Sequence, residues 1–179
     1  MKSFLNRIKQ HWDNGGKIVL LSVFIFALVA FMLLYILLTG GPKTPMTADQ
    51  VFEILEAEGY APKDAMETFR QNGFDDAGLI SVVQVSSTDF TFTFFEHQNK
   101  DGAQSLYRRY ASVIFENVYK TKSAEYKKTA GNYNIYSIQT DEYYAINFRV
   151  ENTEIFAVGS SESASDIHEI LVKIGYYDE

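Results

Sequence analysis

Three histidines are the residues best suited to acid–base or metal chemistry in this chain, and they are scattered. His11 lies near the start, His97 at the end of an alternating aromatic segment, and His168 in an apolar-periodic segment near the end. With no cysteine present, a metal site would have to gather histidines and carboxylates from separate elements, and no ligand spacing joins these three. Asp75-Asp76 offers two carboxylates, but a calcium loop needs several more oxygens at fixed offsets, so a solvated turn is the favoured reading. Glu96 and His97 could be written into a triad with a serine. No G-x-S-x-G turn supports it, and the serines of Ser160 to Ser165 are expected to cap a helix. No glycine loop is built to cradle phosphate: Gly40-Gly41 ends an apolar run, and the remaining glycines are expected to close helices or turns. No catalytic, cofactor-binding or metal-ligating residue is therefore assigned, and no cofactor is expected.

The elements around these residues say more. From Ile18 to Leu38 only Ser22 is neither apolar nor aromatic. Roughly 21 helical residues cover about 31 Å, the thickness of a bilayer's hydrocarbon layer, so residues 18–38 are expected to be a transmembrane helix. A cleaved signal peptide would have a shorter apolar region ending at a small-residue site, here followed by Pro42. Lys2, Arg7, Lys9 and Lys17 precede the span and only Lys43 follows closely, which puts residues 1–17 in the cytoplasm and the C-terminal part outside, as a single-pass signal-anchor. The span holds no ionisable residue, so transport through this chain alone is not expected.

The 179 residues carry a net charge of −7, divided into about +3 before the span and about −10 after it. An acidic exterior argues against nucleic acid as a partner. Without a disulfide framework, the outer part must rely on its core, and its roughly 140 residues suffice for one domain. No Asn-x-Ser/Thr acceptor occurs. Together these lean towards a bacterial-type cell surface.

Gly40, Gly41, Pro42 and Pro45 mark residues 39–46 as a short linker, and Thr47 with Gln50 forms a capping box that opens a domain over 47–179. Its first helix buries Val51, Phe52 and Leu55 and stops at Gly59. Pro62 is read as opening a short helix through Ala65, Met66 and Phe69, closed by Asn72-Gly73. Leu79 to Ser86 and Phe90 to Phe94 form a hairpin that buries one face, with Phe90, Phe92 and Phe94 in the core. A long helix from about Ala103 to Tyr119 follows, with Arg108 and Arg109 on its solvated flank. Lys120 to Lys128 is read as a polar surface loop. Tyr133 to Thr140, Tyr143 to Val150 and Glu154 to Gly159 make a meander, and a last helix presents Ile167, Ile170, Leu171 and Ile174, ends at Gly175, and leaves His168 on its wet side. The fold class is α+β, a mainly antiparallel sheet of about five strands packed by helices.

The runs FRVENTEIFAVGSSESASDIHEILVKIGY and TADQVFEILEAEGY resemble the pattern of small, uncharacterised, single-span bacterial membrane proteins. The resemblance covers most of the outer domain and implies architecture and topology; no residue of it maps to an activity. Two functional expectations follow. The favoured one is a membrane-anchored extracytoplasmic binding or interaction module, acting as a sensor, chaperone or accessory subunit, with the lipid bilayer and a protein at the membrane as partners. The alternative is an enzyme of unrecognised type at the cell surface.

Overall fold

The structure is a computed structural model that describes residues 19, 21–36, 41–73, 78–118 and 124–177. The chain divides into two compact units, Met1–Gly41 and Pro42–Glu179. In the first, residues 21–36 form a helix (α1) whose side chains are all exposed, Phe26 and Phe31 each at 76%. Among the described residues no helix is long and apolar enough to cross a membrane; both ends of the apolar run Ile18–Leu38 lie outside them.

The second unit is α+β. Its strands are β1 (Lys63–Asp64), β2 (Leu79–Ser86), β3 (Phe90–His97), β4 (Ala124–Ala130), β5 (Tyr133–Gln139), β6 (Tyr143–Val150) and β7 (Thr153–Ser160), and its helices are α2 (Ala48–Ala57), α3 (Met66–Gln71), α4 (Lys100–Val118) and α5 (Ala164–Lys173). The seven strands form one antiparallel sheet in the order β1-β2-β3-β7-β6-β5-β4. The expected five strands thus become seven. Lys120 to Lys128 is not simply a loop, because Ala124–Ala130 is an edge strand. An edge strand lying largely in solvent needs no apolar alternation, so its sequence carries no strand signal.

Register decides what each face of the sheet holds. Phe94, Ile155, Phe148 and Ile135 lie side by side across β3, β7, β6 and β5, and pack with Val51 and Leu55 of α2 and Ile167, Ile170 and Leu171 of α5. One residue along, the row becomes Phe95, Glu154, Arg149 and Asn134 on the opposite face. That face is covered by α3 and α4, where Leu106, Ala65 and Met66 meet Phe95 and Val82, and Ile114 meets Tyr136, Ile138 and Ala145. The expectation that the aromatic hairpin buries one face is therefore corrected: Phe90, Phe92 and Phe94 are buried, and so is Phe95 on the other side.

The caps show why the helices begin and end where they do. Thr47 and Gln50 form the reciprocal capping box, and Glu96 on β3 accepts a further bond from Ala48 N–H at 2.8 Å, placing a carboxylate at the positive end of α2. The second helix starts at Met66, four residues after Pro62, with Asp64 Oδ1 accepting from Met66 N–H. The long helix starts at Lys100, earlier than expected, because Asn99 Oδ1 accepts from Gly102 N–H in its first turn. Helices α2 and α5 finish in the same way. Gly59 (φ 85°) and Gly175 (φ 72°) adopt left-handed backbone, and the following Tyr60 and Tyr176 return their N–H groups to Leu55 and Leu171.

Two expectations about small residues are corrected. Ser163 precedes α5 without capping it, and its Oγ donates to Ser160 O instead, while Ser161 Oγ donates to Asp141 O, so these serines tie down the turn. Gly159 closes no turn; it sits in β7, where a Cβ would stand 2.5 Å from Asp89 O and 2.6 Å from Phe90 Cβ, and would also strike Ser163 Oγ. Because the obstructing carbonyl belongs to the backbone, Gly159→Ala is expected to destabilise the domain by about 1–3 kcal/mol, read as a lower urea midpoint with an unchanged slope.

Candidate functional site

Two places gather polar groups. The first is the layer under α4. Glu154 is fully buried and neither of its carboxyl oxygens has a hydrogen-bond partner. Arg149 stands directly opposite on β6, but its guanidinium is turned elsewhere: Nε donates to Asn134 Oδ1 and Nη1 to Glu151 O, both at 2.8 Å. The Asn147 amide lies beside Glu154 without reaching hydrogen-bond geometry; its Nδ2 donates to Tyr107 O of α4 at 2.8 Å, leaving Oδ1 without a donor. Burial holds the Glu154 carboxyl well above the usual carboxylate range, against the weaker pull of Arg149 and Asn147. Burial also raises the Tyr107 hydroxyl to about 12, with Glu154 adding to the shift.

Such a site has an acid without access. A sealed carboxylic acid meets no substrate, and a neutral one supplies the O–H donor for which Asn147 Oδ1 is an acceptor.

The second place is a shallow groove of about 90 Å³ beside the β4 edge, lined by Lys43, Tyr126, Lys128, Tyr133, Tyr176 and Tyr177 together with Ile135. Pockets that enclose a drug-sized molecule start at roughly 300 Å³, so this is a surface feature. One wall is made by residues expected to be linker. Lys43 N–H donates to Asn132 Oδ1, and Asn132 Nδ2 donates back to Lys43 O, in the manner of a strand bridge. Met46 N–H donates to the buried Tyr176 hydroxyl, which also bonds Thr153 Oγ1 at 2.5 Å. The ammonium of Lys128 stands 5.4 Å above the Tyr133 ring.

Comparison with protein-family models, curated proteins and solved structures finds no match. The chemistry must be read from the residues alone.

The residues considered for chemistry are kept apart. Adjacent side chains on a strand face opposite ways, so Glu96 turns to α2 while His97 is buried on the other face near Phe95, and no triad can form from them. His168 is not on a purely wet side: its Nε2 lies 2.7 Å from the Tyr144 hydroxyl and its ring stacks on Tyr177 at 4.9 Å. Burial lowers its pKa. His11 and Asp75-Asp76 lie outside the described residues. Arg108 and Arg109 are exposed, as expected. Among the described residues no group of three or more His, Asp or Glu could hold a metal ion. Sequence reasoning placed Glu154 at the start of a strand but missed its burial, because a lone glutamate at a strand end reads as solvent-facing; its one signal was the period-two spacing that puts it on the same face as Phe156 and Val158.

Proposed function

We propose that this protein is a membrane-anchored interaction module: the apolar run holds it in the bilayer, residues 1–17 face the cytoplasm, and the α+β domain stands outside. One observation carries the reading. Every described residue of the helix over 21–36 is exposed although nearly all are apolar, and a helix that is apolar all round requires lipid or another protein as its cover. The full run Ile18–Leu38 has the length of a span, and the basic flank before it sets the orientation. The resemblance to single-span bacterial membrane proteins supports the same arrangement. The domain's role is to bind a protein at the membrane: the groove beside β4 is too shallow to enclose a drug-sized molecule, and Glu154, the one fully buried acid among the described residues, is sealed.

The test is extraction and protection. After alkaline carbonate washing the full chain should stay with the membrane pellet, and protease added to intact cells or spheroplasts should remove epitopes placed after Thr44 while sparing one at Lys2. Release into the wash would refute anchoring. Protection of the domain with an accessible Lys2 would invert the topology.

A further inference from the structure

We propose that Arg149 is a two-position switch thrown by the proton of Glu154: while that carboxyl is neutral the guanidinium holds Asn134 and the Glu151 carbonyl, and when the proton leaves to solvent it turns across the ladder to the carboxylate and releases both. The two residues stand directly opposite each other on β6 and β7. Val150 and Thr153 close the two-residue hairpin Glu151-Asn152, so Arg149 and Glu154 are the next, non-hydrogen-bonded pair, the kind whose side chains stand closest, with Cα atoms about 4.5 Å apart. An arginine side chain spans that gap. Yet neither oxygen of the Glu154 carboxyl has a hydrogen-bond partner, and the guanidinium is bound to two neutral acceptors, an arrangement that suits an uncharged acid.

Charge decides between the two positions. A guanidinium and a carboxylate form the strong forked pair that two neutral acceptors do not, and a carboxylate left alone in a sealed layer is the costliest arrangement open to it. Around Glu154 stand Asn147 and Arg149 of β6, Phe95 of β3 with His97 further along the same face, and Tyr107 and Tyr110 of α4, with the exposed Arg109 beside Tyr110. The charged residues of α3, Glu67 and Arg70, are exposed. Arg149 is therefore the cation placed to answer the anion. What it lets go is connected to the surface. Asn134 Nδ2 donates to Thr129 Oγ1 on β4 at 3.0 Å. Glu151 holds a left-handed backbone (φ 53°) that a glutamate adopts reluctantly, and the bond from Arg149 helps to fix it. Its carboxylate pairs with Lys100 at the start of α4, and its N–H donates to the carbonyl of Asn132, whose side chain clasps Lys43. Loss of one buried proton thus loosens the β6–β7 turn. The switch goes beyond the anchoring reading and does not rest on it.

The test follows both partners by nuclear magnetic resonance. The isotope-labelled full chain, in detergent micelles, is titrated from about pH 4 to about pH 9. The Glu154 carboxyl carbon, assigned by its loss in Glu154→Gln, and the Arg149 Nε–H, assigned by its loss in Arg149→Lys, should move with one shared midpoint above the ordinary carboxylate range. In Glu154→Gln the Arg149 signal should keep its low-pH position throughout. Asn134→Ala removes an acceptor that competes for the guanidinium, so the midpoint should fall by about 0.5–1 pH unit, whereas Asn134→Asp holds the guanidinium more tightly and should raise it. Opposite shifts from one position are not what a merely structural asparagine gives. Near-ultraviolet tyrosine dichroism checks that each variant is folded, and Asn134→Ser replaces Asn134→Ala if the latter is not. Separate midpoints, an Arg149 signal that stays still while Glu154 titrates, a Glu154 midpoint within the ordinary carboxylate range, shifts of the same sign in the two Asn134 variants, or unfolding before either signal moves would each overturn the proposal.

Discussion

Leu171→Ala is expected to cost about 2–5 kcal/mol, a large share of the stability of a domain this size. Leu171 is fully buried in α5, in one cluster with Ile167, Ile170 and Ile174, and the apolar row Phe94, Ile155, Phe148 and Ile135 lies in the same cluster. Its carbonyl also receives the N–H groups of Tyr176 and Tyr177, so the backbone around the cavity is pinned and cannot collapse to refill it. Denaturant unfolding of the full chain in detergent, followed by tyrosine dichroism, should show the loss. His168, on the same helix, is the comparison. It contributes one contact to Tyr144 and a stack on Tyr177, and His168→Ala should cost about 0.5–1.5 kcal/mol. A silent Leu171→Ala beside a damaging His168→Ala would mean that α5 is rotated from the orientation described.

Glu154→Gln should make the domain more stable at neutral and alkaline pH and remove a slope from its stability profile. The folded-state pKa of Glu154 is raised, chiefly by burial. Below the ordinary carboxylate range both folded and unfolded chains hold the proton, and the buried acid carries no ionic penalty. As pH rises above that range the unfolded chain ionises while the fold still holds the proton, so stability falls by about 1.4 kcal/mol per pH unit until the raised folded value is passed. The groups facing Glu154 are Arg149 and Asn147 of β6 and Tyr107 and Tyr110 of α4; Arg149 and then Asn147 favour the anion, and burial outweighs both. Glutamine keeps the shape and offers an N–H donor to Asn147 Oδ1 without a proton to lose. Subtracting the variant's profile from the parent's cancels other titrating groups, His168 among them. A difference that is flat from pH 4 to pH 8 would show that Glu154 is ionised and compensated in the fold.

Much of the domain was legible because short segments carry their own periodicity and punctuation. The Thr47–Gln50 capping box, the glycine-tyrosine stops at Gly59 and Gly175, the alternation in β3 and β6, and the stripe Ile167, Ile170, Leu171 and Ile174 each lie within one turn, one strand or two turns of one helix. Their physics is local. The strand β4 was not legible, since AEYKKTA alternates nothing and gains its strand state from pairing with β5. Nor was the second core, which exists because α4 covers the face holding Phe95 and Ala145.

The candidate sites follow the same division. The sequence by itself determined the apolar run Ile18–Leu38, the charge asymmetry around it, the absence of thiol chemistry and the α+β pattern, because composition and near-neighbour spacing are enough for these. Only the tertiary structure decided that Glu154 is sealed opposite Arg149, that Lys43 is clasped by Asn132, that Lys43 and Lys128 line one groove, and that β4 is an edge. Burial and pairing are properties of segments far apart in the chain. A carboxylate's environment depends on which strand lies beside it and which helix lies above it, and neither is encoded within the few residues around it.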